Sequence, residues 1–239
     1  MIPCLPVDFF LYMVRGSIVK YYPICLDLRG KQCVVVGGGE VSERKVARLI
    51  QCGAHVTVVD SRLSPGLEQM KKDGTIEHVG DRYNVSFLRG AFLVIAATDR
   101  DEVNEAVSRD ARDLGILVNV VDDPGRCDFI LPSVFERGDL SMTVSTGGKS
   151  PALAKKLARD MTALYGREYE VLLRIMGDLR EKMFKRGLSS LENRKIFEAI
   201  VHSDILRYIK EKDSDGVKRI IKDIGGLDMD WEGNGYPFF

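Results

Sequence analysis

Five short runs of branched apolar residues recur through the first half of the chain, and helical periods fill the gaps between them. The runs cover residues 32–36, 55–59, 76–79, 92–97 and 116–121. Most are continuously apolar rather than alternating, which marks strands covered on both faces. In the first gap, residues 41–52 put Val46, Leu49 and Ile50 on one face and stop at Gly53. Ser64-Pro65 supplies a cap followed by a first-turn proline, opening a helix that closes by Gly74. Val103, Ala106, Val107, Ala111 and Leu114 form the clearest helical stripe, ended by Gly115. Strands alternating with helices of this length predict an α/β fold, a Rossmann-type parallel sheet.

Gly37-x-Gly39-x-x-Ser42 lies between the first strand and the first helix, where a dinucleotide fingerprint must sit. The first glycine permits the tight turn, and the second lets a pyrophosphate approach the backbone of Gly37, Gly38 and Gly39. The helix N-terminus then offers unpaired amides and partial positive charge. Ser42 stands where a third small residue is usual. Asp60 ends the second strand, 21 residues after Gly39. A carboxylate there accepts from both ribose hydroxyls and repels a 2′-phosphate, which favours NAD over NADP, although Arg62 weighs the other way. Ala96, Ala97 and Thr98 end the fourth strand, where small side chains leave room for the nicotinamide half. Simple packing against a helix explains those residues equally well.

After Pro124 the pattern changes. Residues 129–135 and 140–145 read as strands joined through Arg137-Gly138-Asp139, with no helix between them. Ser150-Pro151 repeats the cap-plus-proline signal, and helices follow to about residue 224, with breaks at Gly187 and 210–215. Residues 225–239 read as a tail rich in glycine and aromatics. Residues 1–20 read as an extension, or as a start codon placed too early with Met13 as the alternative. Their apolar stretch is too short to span a membrane and lacks the basic leader of a secretory signal.

The formal net charge is zero, so nothing global points to nucleic acid or an anionic membrane. Locally, however, residues 149–195 hold 12 Lys/Arg against 6 Asp/Glu. That excess suits either a solvated helical face or a wall facing an anionic ligand. Five cysteines form no C-x-x-C pair and no cluster with His55, His78 or His202, which fits a reducing, cytoplasmic setting and gives no metal site.

Several motifs occur together in order: Tyr22-Pro-Ile-x-Leu, Gly37-Gly-Gly-Glu-Val-Ser-Glu-Arg-Lys45, Ala96-Ala-Thr-Asp99, Asn119-Val-Val-Asp-Asp-Pro124, Asp128-Phe-Ile-Leu-Pro-Ser133 and Ser145-Thr-Gly-Gly-Lys-Ser-Pro151. Over residues 20–165 the chain thereby resembles the precorrin-2 dehydrogenase family, found also as the amino-terminal half of sirohaem synthases. The resemblance implies NAD-dependent oxidation of precorrin-2 to sirohydrochlorin, with metal insertion by some members, and a homodimer. It implies a Rossmann domain over 21–127, a small β-containing dimerisation region over 128–150 and a helical domain over 151–239. The family's catalytic carboxylate falls on Asp122, and its cofactor contacts fall on Glu40, Val41, Ser61 and Arg62. At Thr146 the chain departs from the serine that some fused members phosphorylate.

The residues suit that chemistry. Asp122 ends a strand at the sheet's carboxyl edge, placed to accept a proton or steady positive charge as a hydride leaves a ring carbon. Without the resemblance, Asp122 reads as a turn residue before Asp123-Pro124. Precorrin-2 carries eight carboxylates, and Thr146-Gly147-Gly148-Lys149 before a capped helix, with Arg159 on that helix, is a layout suited to anions. A competing reading makes residues 31–123 an NAD(H)-sensing module without turnover.

Overall fold

The computed structural model describes residues 20–80, 82–187, 189–227, 229, 231 and 236. The expected extension therefore lies outside the described residues except for Lys20. The chain divides into two compact units between Leu131 and Pro132.

In the first unit, β1 (Gln32–Val36), β2 (His55–Val59), β3 (Glu77–Val79), β4 (Leu93–Ala96) and β5 (Leu117–Val120) form one sheet in the order β3-β2-β1-β4-β5. Every pairing is parallel. The period of two along a strand sorts the side chains. Cys33 and Val35 of β1 enter one core, with Val56, Val58, Leu93 and Ile95. Val34 and Val36 enter the other, with Val94, Ala96, Val118 and Val120. The first core is closed by Val46 and Leu49 of α1 (Glu40–Gln51) and Leu67 of α2 (Pro65–Lys72). The second is closed by Val107 and Ala111 of α3 (Asp101–Asp113). Burying a valine or isoleucine in this way stabilises by about 1.5–3 kcal/mol each. Chain order reverses between β1 and β4, and such a switch point opens a crevice at the carboxyl edge of the sheet.

The second unit begins with a hairpin, β6 (Ser133–Arg137) antiparallel to β7 (Leu140–Val144), turning at Gly138-Asp139 with Gly138 at φ 52°. β6 starts at Ser133 rather than at 129. Residues 128 and 129 are held instead by β5: Asp128 N–H donates to the Val118 carbonyl at 2.9 Å, and Asn119 Nδ2 donates to the Phe129 carbonyl at 2.9 Å. Phe135 is buried on the hairpin, with its ring centroid 6.2 Å from that of Tyr165. Then come α4 (Pro151–Leu164), α5 (Arg167–Lys185), α6 (Ser190–Val201), α7 (Ile205–Glu211) and α8 (Ser214–Gly225). Ile175, Leu179, Ile200, Ile209 and Ile221 are at the centre of the helical core. Described residues of the expected tail join that core: Leu227, Met229 and Tyr236 are buried there, and the Tyr236 hydroxyl donates to Asp178. Among the described residues, no helix is long and apolar enough to cross a membrane.

Candidate functional site

The three glycines after β1 answer to three different constraints. Gly37 has φ 126°, and a Cβ on it would lie 2.3 Å from the Ala97 carbonyl oxygen, so the turn and the end of β4 touch at the switch point. A Cβ on Gly38 would lie 1.8 Å from the Arg62 carbonyl oxygen, so protein backbone fills that space. Around Gly39 a Cβ would meet nothing within 4 Å. Gly39 is the N-cap of α1 and brings no capping side chain. The first intrahelical bond is Glu43 N–H to the Gly39 carbonyl at 3.0 Å, which leaves the amides of Glu40, Val41 and Ser42 ahead of it. Open space in front of uncapped amides at a positive helix end suits a phosphate. Ser42 is buried, its hydroxyl 3.4 Å from the Ala97 carbonyl, and so serves the close helix–strand contact expected of a small residue there.

Asp60 is anchored by the loop it ends. Its Oδ2 accepts from Gly38 N–H at 2.8 Å, and its Oδ1 accepts from Arg62 N–H at 3.1 Å and from the Ser61 hydroxyl at 3.4 Å. Two carboxylate oxygens offer about four acceptor sites, so a further donor can still be taken. Ser61 and Arg62 themselves are exposed. His78, the middle residue of β3, lies 2.8 Å through Nε2 from the Asp60 carbonyl.

On the other side of the switch point, Thr98 is fixed by a residue that the sequence did not single out. Asn104 is buried on α3; its Oδ1 accepts from Thr98 N–H at 3.2 Å and from the Thr98 hydroxyl at 2.9 Å, and its Nδ2 donates to the Thr98 carbonyl at 2.9 Å. A polar residue inside an otherwise apolar helical stripe was the available signal.

β5 ends in a turn that separates two neighbouring aspartates. Asp123 performs the structural work: its Oδ1 accepts from Gly125 N–H at 3.0 Å and Arg126 N–H at 3.3 Å, and Arg126 pairs with it at 3.1 Å. Arg126 also reaches Asp101 at 2.7 Å and holds that carboxyl below the usual carboxylate range. Cys127 closes the turn, accepting from Val120 N–H at 3.1 Å. Asp122 stands apart from this network. It is exposed and has φ 62°, in the left-handed region that non-glycine residues seldom adopt. Val121 N–H donates to the Ala96 carbonyl at 2.9 Å, which keeps Asp122 at the carboxyl edge next to the end of β4. Asp122 is thus itself a turn residue, with Asp123 N–H donating to the Val120 carbonyl across it at 3.3 Å, while among the described residues its carboxylate takes no hydrogen bond.

The remaining predicted residues are in the second unit. Thr146 Oγ1 accepts from Ser150 N–H at 3.0 Å, and Lys149 N–H donates to the Thr146 carbonyl at 3.1 Å. Gly147 and Gly148 adopt φ 62° and 85°. Ser150 caps α4 by accepting from Leu153 N–H at 3.2 Å. Lys149, Lys155 and Arg159 are exposed, and Lys156 is paired with Asp160 at 2.5 Å. Among the described residues, no group of three or more His, Cys, Asp or Glu could hold a metal ion.

Comparison with known proteins agrees with this geometry. Residues 24–133 match a family described as putative NAD(P)-binding, and residues 137–163 match the sirohaem biosynthesis protein central family. Siroheme synthase 1 of Aeromonas salmonicida is 40% identical over 188 residues, covering 79% of this chain and 40% of that protein. The siroheme synthase of Methylobacillus flagellatus is 38% identical over 209 residues, covering 86% and 45%. The chain thus spans less than half the length of these curated relatives. The solved structure of SirC, a precorrin-2 dehydrogenase, superposes with a TM-score of 0.71 at 24% identity, over 87% of this chain and all of that one. The fold is therefore the same as that of SirC. Two family matches in sequence order and the shared identity with full-length synthases assign the chain to the dinucleotide-binding half of the sirohaem synthase family.

Proposed function

We propose that this protein oxidises precorrin-2 to sirohydrochlorin with NAD as hydride acceptor. The observation that carries the reading is Asp122, alone outside the turn network, on the same sheet edge as the glycine-rich turn and two strands across from it. The family supplies the substrate class, and the site supplies roles.

Gly37, Gly38 and Gly39 with the amides of Glu40 and Val41 would hold the pyrophosphate, Asp60 and Ser61 the adenosine ribose, and Ala97 and Thr98 the nicotinamide side. Bound there, NAD supplies a two-electron acceptor. Asp122 takes the proton released from the tetrapyrrole or steadies positive charge on it. The carboxylate of Asp60, fixed by three donors, disfavours a 2′-phosphate and supports NAD. The exposed guanidinium of Arg62 works in the opposite direction and sets how strong that preference is. Exposed Lys149 and Arg159, with the amide of Gly148, suit the carboxylates of the substrate. Val134 on β6 and Leu153 and Leu164 on α4 expose apolar surface, which supports a homodimer through the second unit. The test is direct: purified protein given precorrin-2 and NAD yields the sirohydrochlorin absorbance and one NADH per substrate. NADH binding without turnover would instead mark a nucleotide-sensing module.

A further inference from the structure

Two neighbouring parts of the carboxyl edge are built separately. On one, Asn104 in the first turn of α3 holds Thr98 through three hydrogen bonds. On the other, the turn after β5 carries Asp122 with its backbone at φ 62°. That conformation is costly for a residue with a Cβ, and it lasts only where surrounding bonds over-determine it. The sheet gives it limited support. The β4–β5 register ends at Ala96 and Val120, followed by the Val121 N–H bond to the Ala96 carbonyl.

Arg126 joins the two parts. Its terminal nitrogens meet both carboxylate oxygens of Asp101, the first residue of α3, at 2.7 and 3.1 Å. Its Nε pairs with Asp123 at 3.1 Å. The main chain of Arg126 is held as well. Its amide donates to the Asp123 carbonyl at 3.2 Å, and its carbonyl accepts from the buried hydroxyl of Ser108 on α3 at 3.1 Å. The Arg126 side chain is 28% exposed, against 73% for Asp101 and 37% for Asp123, so the cation is the sheltered member of the group. A forked guanidinium fixes direction as well as distance, which an ammonium does not. Without it, Asp101 and Asp123 would confront one another as like charges and drive the turn away from α3.

We propose that Arg126 is a positioning residue, whose grip on Asp101 and Asp123 sets where Asp122 stands relative to Thr98. The proposal rests on the reading of Asp122 as the group that handles the substrate's proton. The test uses the full chain and has two arms. In the first, Arg126→Met is expected to lower kcat about tenfold with NADH affinity within about twofold, and Arg126→Lys to fall between it and wild type. In an Asp122→Asn background the same Arg126→Met change is expected to lower kcat by no more than about twofold, because the group it positions is already gone. An equal loss in both backgrounds, or full kcat in Arg126→Met, would overturn the proposal. The second arm needs no substrate. The amides of Asp123 and Gly125, bonded at 3.3 and 3.0 Å, are followed by hydrogen exchange with NMR detection. Both are expected to exchange at least about fivefold faster in Arg126→Met, with the amides of β1 and β4 unchanged. Unchanged exchange in the turn, or equal acceleration throughout the sheet, would overturn the clamp. Inactive wild type, or Asp122→Asn at full rate, with the local exchange difference intact would support the clamp and overturn the chemistry assigned to Asp122.

Discussion

The Gly38 amide donates to Asp60 Oδ2 at 2.8 Å, which ties the turn after β1 to the residue that follows β2. The Gly38 carbonyl in turn accepts from Ser64 N–H at 2.7 Å, so the loop leading into α2 is held to the same residue. One carboxylate therefore builds the turn, and in the proposed site it has the second duty of meeting the ribose. Asp60→Asn replaces an acceptor with an NH₂ that confronts one of three donors. We expect a loss of about 1–3 kcal/mol of stability, read by thermal unfolding. Removal of the charge should also narrow the preference for NADH over NADPH, read by fluorescence titration of both.

Gly38→Ala and Gly39→Ala should separate folding from binding. A Cβ at position 38 runs into the Arg62 carbonyl, and the backbone must move, at a cost of about 1–3 kcal/mol. At position 39 the Cβ meets open space, and an N-cap glycine-to-alanine change costs about 1 kcal/mol or less. If the pyrophosphate approaches the Gly39 backbone as proposed, the added methyl crowds it, and NADH affinity should fall about tenfold or more with the fold retained. Calorimetry beside NADH titration checks both.

Much of this was legible in the sequence because the sheet is buried on both faces. Runs such as 32–36 and 92–97 had no other use for so many branched side chains, and β1 and β4 formed within them. Legibility failed where a distant group decided the outcome. Nothing near Gly38 announces the Arg62 carbonyl above it. Phe129 reads as a strand residue until Asn119 captures its carbonyl, and residues 225–239 read as a tail until Tyr236 meets Asp178, 58 positions away. Asp122 and Asp123 are alike in sequence, and only the backbone, left-handed at 122 and hydrogen-bonded at 123, tells them apart.

Asn104→Ala removes all three bonds to Thr98 and leaves the half-buried Thr98 amide without that partner. The expected cost is about 1–3 kcal/mol, and kcat/KM for NAD should fall if Thr98 lines the nicotinamide side as proposed. Asn104→Asp keeps the acceptor and loses the donor, so its loss should be smaller than that of alanine. Denaturant unfolding and initial rates test the ranking.

Thiol reactivity should divide the cysteines. Burial, with the nearby Cys52 charge second, pushes the Cys33 thiol up to about 11, so at pH 8 it stays protonated and out of reach. Cys25 is exposed. Brief iodoacetamide treatment of the native protein at pH 8 should alkylate Cys25 and spare Cys33, read by peptide mass spectrometry. In denaturant both should react.

The polyanion face is tested by Lys149→Ala and Arg159→Ala. If these side chains meet the substrate's carboxylates as proposed, each substitution should raise KM for precorrin-2 about three- to tenfold and leave NADH affinity unchanged. Unchanged KM in both would remove this surface from the site.

The central claim is that Asp122 performs chemistry while the turn around it is built by others. Asp122→Asn keeps the size of the side chain and removes its charge and basicity. Given saturating precorrin-2 and NAD, this variant should bind NADH as wild type does, unfold at the same temperature within about 2 °C, and form sirohydrochlorin at least about 100-fold more slowly. Turnover at the wild-type rate would contradict the account.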